Sequence, residues 1–216
     1  RRVLGLLVEQ AYKMTHDDVE PEEYTKGVLP EIDQLVSKYC DIPKEATWWN
    51  VVDQLFINGY HHEAHLAQRY AVPWMPLLAR VINNDEVLPL LKGIRTEDGT
   101  PLNDILQFIL TTESSNYPLL WGRTKFDFGS ARIISLDLQD VVPTATDEQS
   151  NQRAEIMYLV GRHMIANEVY MHEDDFASVP EPYASYHYAR VKTNRKQKRI
   201  LCYDEFHRTE GRKNVR

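Results

Sequence analysis

The chain has 216 residues, of which 43% are hydrophobic and 26% charged, with a formal net charge of −7. This composition is typical of a soluble globular protein and excludes disordered, collagen-like and disulfide-rich chains. No stretch reaches the roughly 20 apolar residues that a membrane helix needs, and the opening segment lacks a secretory-signal pattern. The chain begins at Arg1, and its two cysteines, Cys40 and Cys202, form no pairing pattern. We therefore expect an excerpt of a cytoplasmic protein.

The charge is unevenly distributed along the chain. From Tyr186 to Arg216 there are ten Lys and Arg against three Asp and Glu, whereas the rest of the chain carries 15 against 29. A basic end of this kind can bind nucleic acid or acidic partners. The alternative, a solvated helix face and loop, is favoured because no RNA-binding motif with interleaved aromatic residues is apparent.

Helical periodicity and clear breakers predict an all-helical domain over residues 1–125. Thr47 is a typical helix N-cap residue, and Gly59 is well placed to end the same helix. The predicted helices carry apolar stripes at helical spacing: Leu4 to Met14, Glu31 to Tyr39, Trp48 to Phe56, His61 to Ala71, Pro76 to Ile82, and one that opens at Thr100-Pro101.

The pattern changes after Gly122, and we predict a mixed fold in which an α/β segment follows over residues 126–216. Ala131 to Leu138 and Arg199 to Tyr203 are short apolar runs that suit buried strands. Between them, Thr146 and Gln149 resemble a capping box at the start of a long helix. The order strand, helices, strand is typical of a parallel α/β unit. Two such strands cannot form a stable sheet alone.

The segment 198–208, KRILCYDEFHR, has the form of a Walker B strand, in which apolar residues precede Asp-Glu. A buried parallel strand delivers its last residues to the edge of the sheet where ligands bind. There Asp204 could hold Mg²⁺ at the phosphates of ATP, and Glu205 could orient the attacking water. The alternative is a strand-to-loop junction with solvated carboxylates.

Four segments together resemble the IcmB/DotO family, the TraU-like cytoplasmic ATPases of type IVB secretion and conjugation systems: TWWNVVDQLF (47–56), LAQRYAVP (66–73), YPLLWGRTKFDFGSARIISLDLQDV (117–141) and KRILCYDEFHRTEG (198–211). The resemblance implies part of a RecA-like α/β P-loop ATPase domain after the helical domain. It also implies a homo-hexameric motor at the inner-membrane face of a Gram-negative bacterium. ATP and Mg²⁺ would be the cofactors. The partners would be other secretion ATPases and inner-membrane components and, for conjugation relatives, nucleic acid.

The chain departs from that family in lacking a phosphate loop. No G-x-x-x-x-G-K-[ST] string occurs, and the Lys92-Gly93 pair is reversed and lacks the other glycines. We therefore expect the 216 residues alone to be inactive as an ATPase.

Several further residues have both a functional and a structural interpretation. His207 and Arg208 could sense the γ-phosphate or act on a neighbouring subunit, and Asp137 could lie near the nucleotide. Solvated loop or structural roles are the alternatives. In the HHEAH string, His61 and His65 could share a helix face and bind zinc. The spacing differs from H-E-x-x-H, however, so a solvated or interdomain helix face is favoured. For Trp48-Trp49, packing is favoured over a ligand cage.

Three functional hypotheses follow from these patterns. The first is a fragment of a secretion or conjugation ATPase. The second is a non-enzymatic helical module that docks a partner ATPase or an export substrate. The third takes Asp204 to His207 as a DExH-type helicase box, which leaves the segments 47–56 and 66–73 unexplained and ranks last.

Overall fold

The computed structural model describes residues 2–16, 22–126, 128, 131, 133–137, 148–198 and 200–202. Of these residues, 63% are helical and 2% take part in β-pairing. The chain divides into two compact units, Arg1–Asp127 and Phe128–Arg216. The helices of the first unit are α1 Arg2–His16, α2 Pro30–Tyr39, α3 Trp48–Ile57, α4 His61–Ala71, α5 Met75–Val81, α6 Leu88–Lys92, α7 Leu102–Asn116 and α8 Pro118–Trp121; those of the second are α9 Glu148–Tyr170, a 3-10 helix Glu173–Phe176 and α10 Tyr183–Lys196.

Helix α3 is closed at both ends by local hydrogen bonds. At its start, the Asn50 amide donates to Thr47 Oγ1 at 3.3 Å, and the Thr47 amide donates to Asn50 Oδ1 at 2.9 Å. At its end, Gly59 has φ +84, and its amide donates to the Phe56 carbonyl at 3.0 Å while the Tyr60 amide donates to the Leu55 carbonyl at 2.9 Å. This pair of bonds is a Schellman motif, which favours glycine because the left-handed conformation strains other residues. The hydrogen bonds between Thr47 and Asn50 confirm the predicted N-cap at Thr47.

The first core of the helical unit lies between α2, α3 and α4. Helices α3 and α4 pack against each other and bury one face of each. Burying the aliphatic side chains removes apolar area from water, which stabilises such a helix pair by about 25 cal/mol per Å². Its buried residues are Ile32, Val36, Trp48, Val51, Val52, Leu55, Ala64, Ala67 and Ala71. The three alanines on α4 let the two backbones approach closely.

A second core lies between α1, α5, α6 and α7. Helix α5 contacts both α1 and α7, and α6 contacts α7. The buried residues are Leu7, Ala11, Leu77, Val81, Ile82, Val87 and Leu91. Leu102, Leu106 and Leu110 pack against them at helical spacing along α7. The apolar stripe predicted for α5 is thus a core face, whereas the stripes predicted for α1 and α7 are core faces only in part, because Leu4, Val8 and Ile109 are exposed.

The second unit contains the long helix α9 and the pair formed by α10 and the 3-10 helix. In α9 the buried side chains include Ala154 and Met157, and in α10 they are Ala184 and Val191. The 3-10 helix lies along α10, where Phe176 stacks on the His187 ring at 4.4 Å between centroids and 1° between planes. Two of the helices predicted here, one containing Ile156 to Ile165 and one over Tyr183 to Arg195, are confirmed.

The prediction of a RecA-like α/β segment is wrong for the described residues. Pairing between strands is limited there to the isolated bridges Glu23 to Thr47 and Arg95 to Pro101. The described parts of the two predicted strands, at 133–137 and 200–202, are irregular. Ile133 is 92% exposed and Ile200 is 85% exposed. An apolar run becomes a buried strand only when neighbouring strands satisfy its backbone and helices cover its faces, and no such neighbours occur among these residues.

None of the described helices is long and apolar enough to cross a membrane.

Candidate functional site

Of the five predicted nucleotide-site residues, the structure describes only Asp137. Asp204, Glu205, His207 and Arg208 lie outside the described residues. Asp137 is exposed and lies in the irregular stretch 133–137, not at the end of a strand. The proposed roles of these five residues therefore stay predictions.

One histidine of the HHEAH cluster at the start of α4 packs against an aromatic ring. The His61 ring contacts the Phe56 ring at 4.6 Å between centroids, with 44° between their planes. Among the described residues, no group of three or more His, Cys, Asp or Glu is arranged to hold a metal ion. The solvated or interdomain interpretation stays the preferred one.

A column of stacked side chains runs through the first unit from its core to its surface. The Tyr24 ring meets the Trp48 ring edge-on at 5.0 Å, and Trp48 stacks on Tyr70 at 4.8 Å. The Arg123 guanidinium lies over the rings of Tyr70 at 5.2 Å and Trp74 at 4.9 Å. Trp48 is 3% exposed and Trp74 is 37% exposed. The packing interpretation of Trp48 is confirmed, because its ring is an internal member of this column.

Arg123 connects the column to its surroundings through three polar contacts. Its Nη1 donates to the carbonyls of Arg69 at 2.9 Å and Tyr70 at 3.1 Å, close to the C-terminal end of α4. Its Nη2 pairs with Glu22 Oε1 at 3.0 Å, and its side chain is 19% exposed. A cation at a helix C-terminus is favoured by the helix dipole, and the planar guanidinium fits this forked geometry better than an ammonium.

Three of the sequence segments on which the family resemblance rests meet in this unit. Segment 47–56 forms α3, segment 66–73 forms the end of α4, and Arg123 from segment 117–141 joins the last carbonyls of α4. Sequence reasoning missed Arg123, because its partners lie 53 and 54 residues away along the chain. No local periodicity reports contacts over that separation.

Burial raises the pKa of two groups, Tyr24 of the column and Cys40 at the C-terminal end of α2. Burial raises the pKa of Tyr24, and the hydrogen bond from its hydroxyl to Asp33 Oδ1 adds to that effect. Asp33 also accepts from the Gly27 amide at 2.7 Å, where Gly27 has φ +91. Burial likewise raises the pKa of the Cys40 thiol, which favours its protonated form near neutral pH. The contacts of Tyr24 and Gly27 with Asp33 hold the segment before α2 against the start of that helix.

The exposed apolar side chains of the first unit include two groups that each lie on a single helix. On α7, Phe108 is 67% exposed and Ile109 is 45% exposed; we call this pair the α7 edge. On α1, Leu4, Val8 and Tyr12 follow one another at four-residue spacing and are 57%, 44% and 46% exposed. Large exposed apolar side chains grouped on one face are typical of protein-binding surfaces.

In the second unit, His187 is held in an apolar environment. Besides its stack on Phe176, it meets the Tyr186 ring edge-on at 5.4 Å. Its Nδ1 is buried and has no hydrogen-bond partner among the described residues. Burial lowers the pKa of His187, because the charged ring would lose its hydration.

No protein-family model, no curated protein and no solved structure matches this chain. The family resemblance therefore rests on the four sequence segments alone and stays a prediction.

Proposed function

We propose that the helical unit is an interaction module of a cytoplasmic ATPase that powers type IVB secretion or conjugative transfer. The observation that carries this proposal is the α7 edge, where Phe108 and Ile109 are 67% and 45% exposed on a helix whose Leu102, Leu106 and Leu110 pack against the second core. Large apolar side chains that are exposed together lower the solubility of a protein unless a partner covers them.

The internal construction of the unit also supports an interaction role. Its two cores, the capped helix α3 and the Arg123 contacts make a self-contained scaffold. Several of its polar side chains are engaged in a helix cap, a turn and a helix end, as at Thr47, Arg95 and Arg123. A packed scaffold of this kind can present an apolar edge to a partner.

The choice of parent protein rests on the sequence resemblance. Residues from three of its four segments lie in the first core and the column of the helical unit. In that family the protein is expected to work as a homo-hexamer at the inner-membrane face of a Gram-negative cell. Its partners would be another ATPase of the same machine, inner-membrane components or an export substrate.

A transfer assay in the producing bacterium tests this role. We expect Phe108→Asp/Ile109→Asp in the full-length protein to abolish secretion or conjugation while the protein level is unchanged. The matched control is Gln107→Asp/Thr112→Asp, which adds the same charge at exposed polar positions of the same helix. Normal transfer with the Phe108/Ile109 variant would contradict the interaction role of the α7 edge.

ATP hydrolysis by the parent protein is a second proposal, favoured by the residue order of segment 198–208. Asp204 would hold Mg²⁺ and Glu205 would orient water; carboxylates are the ligand type that Mg²⁺ prefers. The bound Mg²⁺ would neutralise charge that develops on the phosphates. We expect Glu205→Gln in the full-length protein to abolish ATP turnover and to retain ATP binding. Unchanged turnover would remove Glu205 from catalysis.

A further inference from the structure

Helix α10 combines aromatic and cationic side chains on one exposed face. Tyr188, Lys192 and Lys196 follow one another at four-residue spacing, so they lie about 6 Å apart along the helix axis on the same side. Tyr188 is 38% exposed, and both lysines are exposed. Lys198, just beyond the helix end, is exposed as well. The grouping is not apparent in the linear sequence, because the tyrosine and the lysines come to the same side only when the segment is helical.

The described contacts of the neighbouring carboxylates are made with groups other than the lysines of this face. The 3-10 helix beside α10 carries three acidic residues. Glu173 pairs with Arg195 at 2.7 Å. Asp174 faces His172 Nδ1 at 3.1 Å, and Asp175 accepts from the His172 amide at 2.8 Å. Within the described part of the chain, Lys192, Lys196 and Lys198 form no ion pair.

We propose that the α10 face formed by Tyr188, Lys192 and Lys196, together with Lys198 just beyond the helix end, binds single-stranded nucleic acid. Lysines bind the phosphates of such a strand as point charges, and an exposed tyrosine ring offers a stacking surface for a base. The surrounding sequence has the same bias, with ten basic against three acidic residues from Tyr186 onward. This inference is independent of the proposed interaction module.

Other polyanions fit the face less well. A helix that binds at an anionic lipid surface needs an apolar side to enter the acyl region. The apolar residues Ala184 and Val191 of α10 are buried, and its exposed end is polar or charged throughout. An acidic protein would use the lysines but would leave the Tyr188 ring without a stacking partner.

Fluorescence anisotropy of the 216-residue chain with labelled oligothymidylate of about 20 nucleotides tests the proposal. We expect Lys192→Ala/Lys196→Ala/Lys198→Ala to raise Kd roughly a hundredfold at about 0.1 M NaCl, since each phosphate contact on a single strand contributes a salt slope of about 0.7. The slope of log Kd against log salt should fall by about 2. The matched control is Lys26→Ala/Lys44→Ala/Lys92→Ala, three exposed lysines of the first unit, which should bind like the unmodified chain.

The contribution of Tyr188 has its own comparison. Tyr188→Ala should weaken binding about fivefold or more, whereas Tyr188→Phe, which keeps the ring and loses the hydroxyl bond to the Phe176 carbonyl, should bind normally. The proposal would be overturned by equal effects of the two lysine triples, by a salt slope near zero for the unmodified chain, or by no binding. Tighter binding to duplex DNA, anionic vesicles or polyglutamate than to the oligonucleotide would overturn it too.

Discussion

Replacement of Arg123 by Ala should strongly destabilise the first unit. The change removes two charge-assisted hydrogen bonds to the carbonyls of Arg69 and Tyr70 and leaves those carbonyls poorly satisfied. Such bonds contribute about 1.5–3 kcal/mol each when buried, and the 19% exposure of the side chain reduces that value. Two cation–π contacts add about 0.5–1 kcal/mol each. We expect the free energy of unfolding to fall by about 3 kcal/mol.

Three companion variants separate the parts of this interaction. Arg123→Lys keeps the charge but loses the planar fork, so about half of the loss should remain. Glu22→Gln removes only the ion pair, whose Glu22 side chain is 38% exposed, and should cost about 0.5 kcal/mol. Lys125→Ala, at an exposed neighbouring position, should change stability by less than about 0.5 kcal/mol.

Urea unfolding followed by tryptophan fluorescence measures these differences. Trp74 contacts the guanidinium and Trp48 lies within the same column, so both report on the region. A loss below about 1 kcal/mol for Arg123→Ala would refute the inference that Arg123 secures the end of α4. Equal losses for Arg123→Ala and Glu22→Gln would also refute it, because the ion pair alone would then account for the effect.

Three further predictions concern caps and one buried histidine. Thr47→Ala should cost about 1 kcal/mol of unfolding free energy by removing the α3 cap, and Thr47→Ser only a few tenths. Gly59→Ala should cost about 1–2 kcal/mol because φ is +84, whereas Gly93→Ala, where φ is −73, should be neutral or stabilising in the same denaturation assay. Since burial lowers the pKa of His187, stability should be independent of this group above about pH 6.5 and should fall as the pH decreases below it. His187→Phe keeps a ring against Phe176 and should weaken that pH dependence; an unchanged profile would exclude His187 as its source.

The helices of the first unit could be predicted well because their signals are local. The bounds of α4, His61–Ala71, match the predicted segment, and the Thr47 cap and the apolar stripe of α7 are visible in short stretches of sequence. Each of these features depends on spacing over a few residues. The interpretation of Trp48 as a packing residue also followed from its position on the apolar face of a helix.

The predictions that failed and the residue that was missed depend on contacts between distant parts of the chain and not on local spacing. The runs around Ile133 and Ile200 were predicted as strands from composition, but strand formation depends on neighbours that these segments do not have among the described residues. Arg123 was missed because its role depends on carbonyls brought near it by the packing of α4. Contacts between distant segments decide both cases, and a single sequence does not encode them as a local pattern.

Photo-crosslinking in the producing bacterium tests the proposed interaction module most directly. A photoreactive phenylalanine analogue would replace Phe108 in the full-length protein, with Gln107 as the control position on the same helix. We predict a discrete crosslink from position 108 to another component of the secretion or conjugation machine, and none from position 107. Absence of a crosslink at 108 in cells with active transfer, or equal and diffuse crosslinking from both positions, would contradict the proposal.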